Sequence, residues 1–255
     1  MEVLLICLVA LLASGLTFVS GFGLGSILLP VFAIFFPIEA AIAATGVVHF
    51  LNNLFKLSLT YRHMQLAIVW RFGLPAIVAA LAGAWLLAQI PAQVLLQYTV
   101  SSKVFTVTLL NVIIGVLMLV FALFEFLPAL RNLSVSPVFI PLGGVLSGFF
   151  GGLSGHQGAL RTVFLLRLGL PKQAFIATGI GIACLIDITR LTVYASQLQK
   201  GPVLPWGLIG AATLSAFAGA LAGNAFLKKI TLQSFQAIVA VFIILFSLAL
   251  IAGLV

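Results

Sequence analysis

The sequence predicts an all-α polytopic membrane protein built from two inverted repeats, each a glycine-broken helical hairpin followed by about three transmembrane helices. Three observations carry that expectation. The 255 residues are 63% hydrophobic and 6% charged, with a mean hydropathy of +1.33. Apolar runs near the ~20 residues that cross the hydrocarbon of a bilayer recur from end to end and leave no room for a soluble domain. The third observation is internal: Ser14 to Gly46 aligns with Ser147 to Gly179 without a gap, and Ser14, Gly15, Gly25, Ala41, Ala44, Thr45 and Gly46 are identical to the residues 133 positions later.

The halves are taken as residues 1–133 and 134–255 of one integral membrane domain. Residues 3 to 20 form the first apolar helix. The start, Met1-Glu2-Val3, lacks the positive n-region of a cleaved signal, so this segment is expected to remain in the protein. Ser20-Gly-Phe-Gly-Leu-Gly25 then breaks the helix before a short apolar piece, 26 to 36. Pro37 and Glu39 open a helix of about 38 to 60, because proline suits a first turn and an acid is favoured at the positive end of the macrodipole. On it Thr45, His49, Asn52 and Lys56 share one stripe at spacings of four, three and four. A polar stripe is untenable against lipid, so these side chains are expected to face a cavity or the bundle interior, with Lys56 reaching toward an interface.

After Tyr61-Arg62-His63 a span of about 67 to 88 runs to Gln89-Ile-Pro91, another covers about 104 to 126, and a hinge-like segment spans Arg131 to Pro137. The second half opens with the most polar interruption in the chain. Between Gly151 and Arg161 lie four glycines, Ser154, His156, Gln157 and Arg161. The expectation is a half-helix whose N-terminus lies at Ser154 to Gly158, with Ser154 able to cap it and His156 and Gln157 in its first turn. A helix of about 172 to 194 follows, carrying Asp187, Arg190 and Tyr194 at spacings of three and seven, and Asp187 is the only acid in this half.

Charge placement relates the halves. If each broken element enters and leaves on one side, Arg62, Arg71, Arg131, Arg167, Lys172, Lys228 and Lys229 share a face and Lys103 and Lys200 share the other. That seven-to-two split follows the positive-inside rule and makes the repeats inverted, with both termini outside. The same rule accounts for the net charge of +8 without nucleic acid, and no basic run exceeds Lys228-Lys229. Cys7 and Cys184 form no motif, and the histidines, cysteines and acids lack metal-ligand spacing, so no cofactor and no metal are expected.

Inverted repeats with broken helices bring half-helix N-termini together near the midplane, where backbone N–H groups attract anions. A substrate site is therefore expected from Ser20, Gly21, Gly23 and Gly25 in the first break, Ser154, Gly155, His156, Gln157, Gly158 and Arg161 in the second, and Thr45, His49, Asn52, Asn53 and Thr178 on the flanking helices. Lys56, Asp187 and Arg190 are assigned to gating or coupling. Arg161 offers a planar fork for carboxylate or sulfur oxyanions, and Leu28 stands at its counterpart in the first half. Asp187 is open to pairing with either Arg190 or Arg161.

Phe149-Phe-Gly-Gly-Leu-Ser-Gly-His-Gln-Gly-Ala-Leu-Arg161, with Phe164-Leu-Leu-Arg-Leu-Gly-Leu170 and Phe175-Ile-Ala-Thr-Gly179, resembles the second-half signature of the TauE/SafE membrane permeases. Gly21-Phe-Gly-Leu-Gly25, Pro30 and Ala44-Thr-Gly46 resemble the first. The resemblance implies a transporter of a small anion such as sulfite, sulfoacetate or thiosulfate, acting in export from the inner membrane rather than as an enzyme. Coupling to protons or sodium and assembly as a homodimer complete the expectations. Two rival readings fit the residues less well. Gly152-Leu-Ser-Gly155 and His49-Phe-Leu-Asn-Asn53 match patterns of rhomboid-type proteases, but those need a basic histidine beyond the serine, none follows His156, and the duplication is foreign to that fold. A passive channel or scaffold leaves a buried arginine beside a glycine break unexplained.

Overall fold

A computed structural model describes residues 1–20, 23–91, 93–126, 135–198, 204–226 and 232–255. Gly21, Arg131, Lys200, Lys228 and Lys229, on which parts of the sequence reading rest, lie outside them, and for Ser20 only its place at a helix end is described. The first half comprises α1 (Glu2–Ser20), α2 (Leu24–Ala33), α3 (Ile38–Thr60), α4 (Leu66–Gln89), a hairpin of β1 (Val94–Val100) and β2 (Lys103–Thr108), and α5 (Leu109–Phe126). The second comprises α6 (Ile140–Ser154), α7 (Gly158–Leu165), α8 (Lys172–Leu198), α9 (Trp206–Phe226) and α10 (Leu232–Ile251). Each half is thus a broken helix pair followed by three longer helices, and among the described residues five helices are long and apolar enough to cross a membrane.

Local chemistry sets the breaks. Gly23, at φ 109°, turns the chain into α2, and Gly155, at φ 84°, ends α6 with its N–H returned to Gly151 O at 3.0 Å. Both sit in the left-handed region that favours glycine. The second break lies one turn later than the sequence implied: Ser154 closes α6 instead of opening the next helix, and His156 and Gln157 sit in the break before α7 begins at Gly158. Ser154 Oγ donates back to Phe150 O at 3.2 Å, as a residue inside a helix does.

The span expected from residue 104 is also corrected. Lys103–Thr108 is a strand paired antiparallel with Val94–Val100, and helix starts only at Leu109. These strands are rich in β-branched and aromatic residues. Their two-residue turn holds Ser101 and Ser102 at φ 48° and 69°, the geometry whose twist matches a hairpin. Tyr98 stacks on Phe105 and donates to Ala252 O at 2.6 Å, tying the hairpin to the end of α10.

Two helix pairs approach backbone to backbone. Gly144, Gly148 and Gly152 of α6 face the Phe72, Ala76 and Ala80 carbonyls of α4, and a Cβ on any of them would collide. Gly219 and Gly223 of α9 meet Leu11 and Gly15 of α1 in the same way. Both pairs ascend together, so each runs parallel. Small residues let dispersion and backbone contact hold helices that gain no hydrophobic drive from lipid. By contrast α3 and α8 run antiparallel: Gly46 lies beside Arg190 and Leu191, His49 bonds Asp187, and Met64 lies beside Gly181. The surface is apolar, with Leu4, Trp70, Leu74, Val78, Trp85, Leu214, Leu221 and Leu245 exposed, whereas Ser14, Asn52, Asp187 and Arg190 are fully buried. That distribution suits lipid as solvent.

Candidate functional site

The two breaks face each other at the centre: a Cβ on Gly25 would come 3.6 Å from His49 Cδ2 and 3.7 Å from Gly155 O. Beneath them the Asp187 carboxylate, with no exposed surface, gathers donors from two helices, α3 and its own α8, and from the second break. His49 Nδ1 lies 2.6 Å from Oδ2, which Asn53 Nδ2 also approaches at 3.4 Å. Gln157 Nε2 donates to Oδ1 at 3.1 Å, and Arg190 adds Nε at 3.0 Å and Nη2 at 2.9 Å. A buried charge is tolerable only when paired and hydrogen-bonded in this way. Gln157 then links outward, its Oε1 accepting from Arg161 Nη1 at 3.5 Å while its backbone carbonyl accepts from Ser147 Oγ at 2.9 Å. At position 155 glycine fits beside Arg190, since a Cβ there would stand 2.7 Å from Nη1.

Beside this cluster is a small cavity of about 10 Å³, lined by Thr17, Leu24, His49, Asn53, Lys56, Arg161 and Ile180. Arginine, lysine, an imidazole, an amide and a hydroxyl supply its polar lining, and no carboxylate does. Such a lining offers hydrogen-bond donors and positive charge to a small oxyanion. Lys56 reaches it from α3, held by Ser14 O at 3.0 Å and Thr17 Oγ1 at 3.4 Å. It does not extend to an interface, being 3% exposed. Among the described residues no group of three histidine, cysteine or acidic side chains is placed to hold a metal ion.

The model of the sulfite exporter TauE/SafE family matches residues 6–250. The chain belongs to the TauE/SafE family. Comparison with curated proteins and with solved structures returned no significant match. TauE/SafE membership makes this a multi-pass integral membrane protein and a transporter of the sulfur-anion class.

Within this TauE/SafE protein the site residues expected from sequence fall into three groups. His49, Asn53, Gln157, Arg161, Asp187 and Arg190 form one connected network, with Gly25 and Gly155 against it. Asn52 and Lys56 lie in a second network with Ser14 and Thr17. The remaining polar residues turn elsewhere. His156 stacks on Phe121 with centroids 5.5 Å apart and meets Ser154 Oγ at 3.1 Å, neither residue lining the cavity. Thr178 Oγ1 accepts from Gln65 N at 3.0 Å at the start of α4, and Thr45 is buried one helical turn from His49. Gly23 and Gly158 flank the breaks. Thr17 and Ser14 were not singled out as cavity or network residues by the sequence reading. Their signal was position: both lie in the last turns of α1, at the break.

Proposed function

We propose that the chain carries a small doubly or singly charged oxyanion, of the kind of sulfite, sulfoacetate or thiosulfate, outward across the inner membrane through the cavity between its halves. The observation that supports this reading best is the cavity lining, in which Arg161, Lys56, His49 and Asn53 present donors while the Asp187 carboxylate beside it is already engaged by His49, Arg190, Gln157 and Asn53. Arg161 contributes the fork, Lys56 a second cation, and Asn53 a neutral donor that fixes orientation.

Residues 1–133 and 134–255 act in this reading as inverted repeats. Two features support that arrangement. Each half's first helix pairs with the other half's fourth helix, α1 with α9 and α6 with α4. The equivalent helices α3 and α8 meet antiparallel, which a two-fold axis lying in the membrane plane requires. Transport then proceeds by rocking one set of helices against the other around the fixed cavity. Proteoliposome flux and binding to purified protein, tested with sulfite, thiosulfate, sulfoacetate, sulfate and short carboxylates, checks the reading. Saturable uptake of at least one sulfur oxyanion is expected, with competition by its congeners. No binding across the whole panel would overturn it.

A further inference from the structure

Lys56 belongs to neither of the two ion pairs among the described residues, both of which are made to Asp187. Its ammonium instead sits on neutral oxygens from two helices. Ser14 O and Thr17 Oγ1 of α1 lie at 3.0 and 3.4 Å. The Asn52 amide completes the set, because only with its oxygen toward Lys56 at 3.1 Å does its nitrogen find acceptors for its two N–H bonds, Ser14 Oγ at 2.9 Å and Ala216 O at 3.3 Å. The Phe18 ring covers the remaining side at 5.6 Å. A carbonyl, a hydroxyl and an amide oxygen are also the donors that hold a hard cation, so the ammonium occupies a place suited to a metal cation.

This geometry has a chemical consequence. An ammonium held by dipoles alone can lose its proton without stranding a carboxylate, whereas a guanidinium cannot lose one at all. Lys56 also lines the cavity, so the charge it gains or loses lies beside whatever anion is there. We propose that Lys56 carries a proton together with the anion: the amine takes a proton from water on the face where the anion enters, and returns it to water on the face where the anion leaves. One proton and one anion then travel in the same direction, and no sodium is needed because the ammonium already fills the oxygen set. The inference rests on the reading of the cavity as an anion site. The ionisable groups facing Lys56 are His49 on its own helix, Arg161 from α7, and Asp187 with Arg190 from α8 beyond His49. The facing turns of α1, Ser14 to Phe18, and the whole of α9 carry none.

The test uses the full chain in proteoliposomes with thiosulfate or sulfoacetate, which do not titrate near neutral pH, and a trapped pH dye that counts protons moved per anion. Wild type is expected to move protons with the anion, to accumulate it under a pH gradient, and to keep its flux when sodium is replaced by choline. Lys56→Arg retains the charge without a removable proton, and its residual flux is expected to lose the proton. Asn52→Leu, outside the cavity lining, removes one oxygen that favours the charged form. Proton uptake on anion binding, measured calorimetrically in buffers of different ionisation enthalpy, is then expected to shift to lower pH, a change that a purely structural role does not produce. An unshifted profile in Asn52→Leu overturns the inference even if Lys56→Arg is inactive. So does a sodium requirement, or proton movement that survives Lys56→Arg but disappears in His49→Gln. Wild type that moves the anions without protons overturns this inference alone; wild type that moves neither anion overturns the anion site and this inference with it.

Discussion

Deleting the Arg190 guanidinium strands the Asp187 carboxylate in a place without solvent, because Arg190 supplies two of its contacts at 3.0 and 2.9 Å. Breaking one partner of such a buried pair costs about 3–5 kcal/mol, while replacing both by apolar groups is often neutral. Arg190→Met should therefore lower the thermal midpoint in detergent sharply, and Arg190→Met with Asp187→Leu should recover most of it. If the double variant is as unstable as the single, the pair is not what holds this layer. Arg161 is expected to behave differently. Arg161→Lys keeps a charge in the cavity but loses the fork, so the protein should stay folded while anion binding weakens about tenfold or more, about 1.4 kcal/mol, as read by titration calorimetry. Much of this network was legible in the sequence, since a polar stripe on α3 and an acid–base stripe on α8 each had to avoid lipid. Their union was not, because His49 and Asp187 stand 138 positions apart and nothing local links them. Side-chain direction at the second break was illegible for a similar reason: Gln157 turns to Asp187 and His156 to Phe121, a choice set by where the chain leaves Gly155.

Helix glycines divide into those pressed against a neighbour and those in open space. A methyl at Gly148 or Gly152 would strike the Ala76 or Ala80 carbonyl, whereas at Gly210 it would meet nothing within 4 Å. Gly148→Val and Gly152→Val should abolish the folded protein in fluorescence-detected gel filtration, and Gly210→Ala should leave it neutral or more stable by about 0.5–1 kcal/mol, the helix preference for alanine. Equal effects at both kinds of position would remove the case for close α4–α6 packing. Helix extents were the most legible feature: α3 and α4 fall within a residue of the expected bounds because proline, loop polarity and apolar length mark them. The hairpin was missed since its strands are as apolar as a membrane helix and its turn, Ser101-Ser102, lacks the glycine or asparagine that usually signals positive φ.

At the scale of the molecule, the inverted arrangement predicts that Arg62 faces the cytoplasm and both termini face outward. In a background with Cys7 and Cys184 replaced, Arg62→Cys should be closed to an impermeant maleimide added outside intact cells, and Val255→Cys open to it. Labelling of both from one side would sink the topology. The crossed pairing of helices also bears on how the chain is made. Gly15 of α1 meets its partner only in α9, whose residues 206–226 are synthesised long after α1 has entered the bilayer. At about 5–20 residues per second that interval is roughly 10 to 40 s. During that time α1 lacks the backbone contacts that Gly219 and Gly223 make with it. The nascent α1 must therefore be kept from other small-residue helices, by the insertion machinery or by lipid, until the last fifth of the polypeptide arrives to close the bundle around it.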